Sequence, residues 1–265
     1  MKRRQLLTAT CAATFLGLNT LPSFAQVRDL SDAINKAGQQ RALSQRMSKA
    51  WLMLVVATEK GSAQRVLDKS LTLFDRHLVE LKAFAPNPAI KATYGLLDVS
   101  WSEFKTILVG ASPAPASAPA LLALDSKVLA LAQQGTEQYE AALNQPLGKL
   151  VNLAGRQRML SQRMAKFYLA ANLPADSGQA AQEINLARTE FINAMSTLRN
   201  APEANSRIKD ELRLADGQWL FFDNALKKMN QGTATNLAMS DVFVASENLL
   251  SVMENVTNLY ASLKT

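Results

Sequence analysis

Two arginines, Arg41 and Arg158, recur in nearly the same surroundings 117 residues apart. They lie in the stretches AGQQRALSQRMSK and AGRQRMLSQRMAK, and 12 of the 18 positions in 35–52 are identical in 152–169. Two helices that shared only an amphipathic pattern would not need the same Gly, Arg, Ser and Gln. Because a guanidinium can hold a planar anion through two parallel hydrogen bonds, the repeated arginines are candidates for anion binding.

The repeated phrase has the spacing of a helix in which small residues flank each arginine on one seam. A glycine stands three residues before each arginine, and a serine three residues after it. Glycine inside a helix costs about 1 kcal/mol relative to alanine, so its presence suggests that something approaches the backbone closely. If the seam binds a ligand, its candidate residues are Arg41, Arg158, Gly38, Gly155, Ser44 and Ser161.

The charge of the two arginines needs a partner that the phrase itself does not contain. No Asp or Glu lies between Asp32 and Glu59, nor between Glu140 and Asp176. Three interpretations remain: each arginine pairs with a carboxylate of another helix in its bundle, each is solvated, or the two converge on one small planar anion from parallel helices.

Four further cations of the phrase are secondary candidates for the site. Arg46 and Arg163 lie off the seam, so we expect them to form surface or end-of-helix pairs rather than to contact the ligand directly. Lys49 and Lys166 could add positive potential near the site, although solvated lysines are the ordinary expectation.

The repeat extends beyond this phrase and predicts an all-α tandem duplication. Phe74 matches Phe191, Trp101 matches Trp219, and Tyr139 matches Tyr260, at offsets that grow from 117 to 121. We place one unit at 27–145 and the other at 146–265. Helical patterns near 28–59, 62–84, 88–110 and 120–144 are separated by short breaks, which predicts that each unit is an antiparallel four-helix bundle.

The N-terminus has the features of a cleaved export signal over residues 1–25. It combines a basic start with a short apolar stretch and small residues before Gln26, although whether export follows the general or the twin-arginine route stays open. Cleavage would lower the net charge from +7 to +4, because three basic residues and no acidic ones leave, and the lone Cys11 would leave as well. We expect a periplasmic protein without thiol chemistry, nucleic-acid binding or a later transmembrane segment.

The remaining reactive residue types do not form a catalytic or metal-binding pattern. His77 is the only histidine, and we expect it on a helix surface. Trp101 and Trp219 are expected in the cores. Without a set of nucleophile, base and orienting group, we predict no enzyme, no cofactor and no metal site.

The stretches INKAGQQRALSQRM and VNLAGRQRMLSQRM resemble the PilJ-type sensor domain of type IV pilus chemotaxis transducers and of nitrate/nitrite sensor kinases of the NarX kind. The family pattern G-x-x-R-x-x-S-x-R fits both copies. In the nitrate sensors, the resemblance implies one anion between the first helices of a dimer, which would assign ligand contacts to Arg41 and Arg158. We expect this chain to lack a kinase or methyl-accepting module, and its two units suggest a pseudo-dimer within one chain.

We therefore expect a periplasmic sensor or binding protein for a small inorganic oxyanion, with nitrate or nitrite as the first candidates. The signal would pass to a membrane sensor kinase or chemoreceptor. The alternative is a non-catalytic adaptor or structural module that binds a chemoreceptor, a sensor kinase or a type IV pilus component, with its arginines paired internally. A carboxylate close to each arginine would favour the alternative.

Overall fold

The computed structural model describes residues 26–56, 60–110, 112–173, 179–228 and 235–263. Those ranges contain eight α-helices, one short 3₁₀ helix at Pro115–Ser117 and no strand, so the predicted all-α class is confirmed. The predicted export signal at 1–25 lies outside the described residues. The helices are α1 Leu30–Val55, α2 Lys60–Phe84, α3 Pro88–Gly110, α4 Ala118–Leu143, α5 Pro146–Ala170, α6 Gln179–Asn200, α7 Ser206–Lys227 and α8 Asn236–Ser262.

Local side-chain chemistry explains where several helices begin. Asp29 caps α1 by accepting a hydrogen bond from the backbone N–H of Asp32 at 2.8 Å. Asn87 caps α3 and Asn205 caps α7 in the same way, each through its side-chain oxygen at 3.0 Å. Such caps satisfy backbone donors that a helix start leaves open. These two asparagines occupy equivalent positions of the repeat, so the duplication extends to the helix starts.

A very short joint connects the two repeats. Asn144 ends α4 in the left-handed backbone conformation with φ of 49°, and Pro146 opens α5. Asparagine tolerates this conformation better than most residues, and proline fits the first helical turn because its missing N–H would have no helical partner there. The chain can therefore reverse direction within two residues.

The repeats are joined through their first helices. In the first repeat α1 packs on α2 and α4, and α3 on α4; in the second, α5 packs on α6 and α8, and α7 on α8. Helices α1 and α5 also pack extensively on each other. The contacts with α8 show the directions of α1 and α5. Glu254, late in α8, contacts Gln39 and Arg158, whereas the earlier Ser246 contacts the later residues Lys49 and Gln162. Both first helices therefore run antiparallel to α8 and parallel to each other.

Each repeat has the same aromatic cluster in its core. Phe74 stacks on Trp101 with ring centroids 4.2 Å apart, and Phe191 stacks on Trp219 at 4.4 Å. Each tryptophan also meets a phenylalanine edge-on, at 6.1 Å and 6.2 Å. The expected packing role of the two tryptophans matches this geometry.

The expectation for His77 was wrong. Its side chain is buried, with 4% exposure, on α2. Burial lowers its pKa to about 3, and the positive charges of Arg76, Lys36 and Arg158 act in the same direction. Its helical pattern did not reveal this, because the neighbours that enclose it come from other helices.

One helical segment in the described part of the chain is long and apolar enough to cross a membrane by length and composition alone. It is Pro115–Leu143, with a mean hydropathy of 1.2 over its most apolar window. Sequence analysis did not anticipate this segment. Its helix α4 packs against α1 and α3 and carries Asp125 in a buried ion pair, while 28% of that window is buried.

Candidate functional site

The two arginines of the repeated phrase meet at the contact between α1 and α5, in an arrangement we call the arginine layer: Arg41, Arg158, Gly38 and Gly155. Both arginine side chains are fully buried. A methyl group on Gly38 would lie 3.0 Å from Nη2 of Arg41 and 3.5 Å from Nη2 of Arg158. On Gly155 the corresponding distances would be 3.1 Å to Arg158 and 3.6 Å to Arg41. The guanidinium groups of both repeats therefore lie together beside both glycines.

Each arginine reaches across to the backbone of the other repeat. Nη2 of Arg41 donates to the carbonyl oxygen of Asn152 at 3.3 Å, and Nη2 of Arg158 donates to that of Asn35 at 3.0 Å. Asn35 and Asn152 are equivalent positions at the start of the repeated phrase. Sequence reasoning did not assign them a role, although their identity in the two copies was a usable signal.

The other terminal nitrogens of the two arginines have chemically different partners. Nη1 of Arg41 donates to the amide oxygen of Gln133 on α4 at 2.6 Å. Nη1 of Arg158 donates to the carboxylate of Glu254 on α8 at 2.7 Å. Gln133 and Glu254 are 121 residues apart, the same offset as the matching tyrosines of the repeat. Internal pairing with a carboxylate therefore holds for Arg158, whereas Arg41 has no ion pair within the described ranges.

Burial makes the charge of Arg41 energetically expensive. Desolvation lowers the pKa of Arg41 to about 9, and the like charges of Arg156 and Arg158 lower it in the same direction. The group stays protonated at neutral pH, since this pKa is still well above 7. In addition, Nε of Arg41 and Nε of Arg158 have no hydrogen-bond partner among the described residues. The arginine layer thus has two buried cations and two unused Nε donors, and Glu254 is the one carboxylate that contacts it among the described residues.

The two serines of the motif contact their own helices. The hydroxyl of Ser44 donates to the carbonyl of Arg41 at 3.0 Å, and that of Ser161 donates to the carbonyl of Arg158 at 2.9 Å. Each hydroxyl also accepts a hydrogen bond from the next glutamine, Gln45 or Gln162. Their contacts support the helices behind the arginines, and a direct role in ligand binding stays a prediction.

The expectation of solvated lysines was wrong. Lys49 and Lys166 are almost completely buried, two helical turns beyond the arginines. Nζ of Lys166 binds Asp125 on α4 at 2.6 Å, and Nζ of Lys49 binds Glu247 at 2.7 Å and Ser246 at 2.8 Å, both on α8. Each lysine pairs with a helix of the other repeat, so this second polar layer links the two bundles.

Both lysines have lowered pKa values because of burial. The pKa of Lys49 falls to about 8 even though Glu247 opposes the shift, and the pKa of Lys166 is lowered although Asp125 opposes it. Sequence analysis missed these partners because they lie far along the chain on helices where the repeat is weak.

Arg46 and Arg163 form ion pairs away from the arginine layer. Arg46 binds Glu247 at 2.5 Å, and Arg163 binds Glu183 at 2.6 Å. Both arginine side chains are partly exposed, as the predicted surface pairing requires.

Among the described residues, no cluster of three His, Cys, Asp or Glu side chains is arranged to hold a metal ion. The arginine layer itself presents donors rather than metal ligands. Its chemistry therefore suits an oxygen-bearing anion.

The comparisons with known proteins agree with the duplication. The family model for the type IV pili methyl-accepting chemotaxis transducer N-terminal domain, PilJ, matches residues 23–144 and again 142–242. No curated protein and no solved structure gives a significant match. The two matches cover most of the chain, and the chain therefore belongs to the PilJ family of chemotaxis-transducer sensor domains.

Proposed function

We propose that this protein is a periplasmic sensor of a small oxyanion, which binds between α1 and α5 at the arginine layer. Nitrate and nitrite are the first candidates, because the motif resembles that of nitrate sensors. The observation that carries the proposal is the meeting of two fully buried guanidinium groups, of which only Arg158 has a carboxylate partner among the described residues. A bound monoanion would neutralise the uncompensated charge of Arg41.

The size and polarity of the site support a small planar ligand. A methyl group built on either glycine would lie within 4 Å of both guanidinium groups, so the space between the glycines and the arginines is narrow. The unused Nε donors and the terminal nitrogens could hold two or three oxygen atoms. Gly38, Gly155 and the two arginines would form the site, and Ser44 and Ser161 would hold the helix backbone in place.

The proposal is tested by thermal unfolding of residues 26–265 in sodium nitrate and in sodium chloride of equal ionic strength. Binding only to the folded protein adds about 2.7 kcal/mol of stability at a ligand concentration one hundred times Kd. For a domain of this size, that corresponds to an increase in Tm of about 5–10 °C. Arg41→Gln and Arg158→Gln should each remove the nitrate-specific increase, whereas Arg199→Gln, in an exposed pair with Asp216, should retain it.

A second candidate function is a non-catalytic adaptor that binds a chemoreceptor, a sensor kinase or a pilus component. The carboxylate on Arg158 favours it, and so do two adjacent exposed residues on α7, Leu220 and Phe221, at 63% and 70% exposure. Co-elution with the sensor domain of a PilJ-type transducer, lost in Phe221→Glu, would support this function. An absence of stabilisation by nitrate, nitrite or sulfate would also favour it over the anion sensor.

Export to the periplasm is part of the proposal. Intact-mass measurement of the protein from a periplasmic extract should show a chain that begins at Gln26. A chain that retains Met1 would contradict the export signal.

A further inference from the structure

A groove on one side of the molecule leads to the arginine layer. It lies between α4, α5 and α6, has a volume of about 500 Å³, and is lined in part by Leu129, Met159 and Leu186. Gln133 and Arg156 also line it. Because Gln133 contacts both the groove and the fully buried Arg41, it separates that arginine from the solvent of the groove.

Two guanidinium groups converge on the single amide oxygen of Gln133. Nη1 of Arg41 lies 2.6 Å from it, and Nη1 of Arg156 lies 3.1 Å from it. One neutral oxygen between two cations occupies the position in which proteins usually hold an oxygen of an anion. Glu137 holds the amide group from the other side, 2.5 Å from Nε2 of Gln133, and Glu190 pairs with Arg156.

The opposite side of the pseudo-symmetric core has different residues at the positions of Gln133 and Arg156. There Glu254 stands in place of Gln133, and Gln39 in place of Arg156. Nε2 of Gln39 donates to Glu254 at 3.2 Å, and Glu247 lies two turns away in place of Ser126. On the α8 side the partner of Arg158 is a carboxylate, and a neutral glutamine lies beside it. On the α4 side the partner of Arg41 is a neutral amide beside Arg156, with Glu137 and Glu190 as the nearby carboxylates. An anion can displace a neutral amide from Arg41 more readily than it can displace an ion-paired carboxylate from Arg158.

We propose that the anion site opens on the α4 side only, with Arg156 as a third guanidinium ligand and Gln133 as the side chain that the anion displaces from Arg41. This inference rests on the proposed function and deepens it. The ligand is a small oxyanion or carboxylate group, one oxygen of which takes the position of the Gln133 amide oxygen. Arg156 is suited to this step because its side chain is partly exposed and its partner Glu190 is exposed to a similar degree.

The ligand role of Arg156 is tested by titration calorimetry with sodium nitrate and, separately, sodium acetate. Arg156→Gln, which copies Gln39 of the other repeat, should raise the Kd at least tenfold. Arg156→Lys keeps the charge and should raise it less. Arg199→Gln should leave it unchanged. An unchanged Kd in Arg156→Gln, with correct helicity by circular dichroism, would overturn the role of Arg156.

The one-sided opening is tested by a matched pair of substitutions at exposed, equivalent positions. Ala130→Trp on α4 should obstruct the groove, whereas Ser251→Trp on α8 should not. In a nitrate titration followed by amide NMR signals of Gly38 and Gly155, exchange should slow at least tenfold in Ala130→Trp alone. Equal slowing in both variants, or slowing only in Ser251→Trp, would overturn the α4-side opening.

The outcomes separate the two proposals. If the unsubstituted protein binds none of the anions tested, the proposed function itself fails. If it binds nitrate or acetate through Arg41 and Arg158 but Arg156→Gln and Ala130→Trp have no effect, only the present inference fails.

Discussion

Replacing Gln133 by glutamate should stabilise the protein and weaken its anion binding in one step. Glu254 already occupies the equivalent position beside Arg158, so the change makes the first repeat copy the second. The new carboxylate would lie where the amide oxygen now lies, 2.6 Å from Nη1 of Arg41. It would also supply the carboxylate that Arg41 lacks among the described residues.

The expected size follows from the charges around this position. Two unit charges about 4 Å apart attract by about 4 kcal/mol at an effective dielectric constant near 20. Desolvation of the new carboxylate and repulsion from Glu137, which is 2.5 Å from the present amide nitrogen, offset much of this gain. A net stabilisation of about 1–2 kcal/mol remains, or an increase in Tm of about 2–8 °C. An anion at Arg41 would meet the new charge, and a loss of about 2–4 kcal/mol corresponds to about 30- to 1000-fold weaker binding.

The assay is thermal unfolding without added anion, together with calorimetric titration with nitrate. Glu254→Gln is the matched reverse change, and it should lower Tm and strengthen binding because it removes a carboxylate that competes with the ligand. In each variant the Tm and the nitrate affinity should change in opposite directions. A substitution that merely disrupted the fold would lower both. Nitrate binding of unchanged affinity in Gln133→Glu would refute the argument that the anion compensates Arg41.

Three further predictions concern the surroundings of the site. Gly38→Ala should weaken nitrate binding in calorimetry, because its methyl group would lie 3.0 Å from a guanidinium nitrogen that must then shift. Gly95→Ala, whose methyl group would meet nothing within 4 Å beyond its own stretch of helix, should keep binding and gain up to about 1 kcal/mol of stability. Asp125→Asn leaves a buried ammonium without its carboxylate and should cost about 3–5 kcal/mol in urea unfolding, against less than about 1 kcal/mol for Asp98→Asn in an exposed pair. The pKa of His77 is about 3 in the folded protein and near 6.5 in the unfolded chain. Between these pH values the unfolded chain binds a proton at His77 that the folded protein does not bind. The free energy of unfolding therefore falls as pH drops from about 6.5 to about 3. His77→Gln should reduce that fall by up to about 5 kcal/mol, and an identical pH profile in this variant would show that the histidine does not contribute.

The duplication and the helical class could be predicted because they depend on local pattern. The repeated phrase, the proline and asparagine at the helix starts, and the matching aromatic residues are all visible along the chain. Helical spacing placed each arginine on one seam of its own helix among small residues, since residues three and four apart share a face. That the two seams meet was one of three interpretations.

The partners of the charged residues could not be predicted in the same way. Gln133, Asp125 and Glu254 lie on α4 and α8, where the two repeats have few identical residues, and they reach the first helices only through the packing of whole bundles. Lys166 looked like an ordinary surface lysine because its carboxylate is 41 residues away in sequence. The offset of 121, already visible from Tyr139 and Tyr260, was the signal that could have paired Gln133 with Glu254.

The central claim is that one anion is shared by the arginines of both repeats. Titration calorimetry of residues 26–265 with nitrate measures this most directly, because it gives the number of anions bound per chain. The account predicts one nitrate per chain in the unsubstituted protein and no measurable binding in either Arg41→Gln or Arg158→Gln. Two nitrates per chain, or one nitrate retained at unchanged affinity in either single variant, would contradict a shared site.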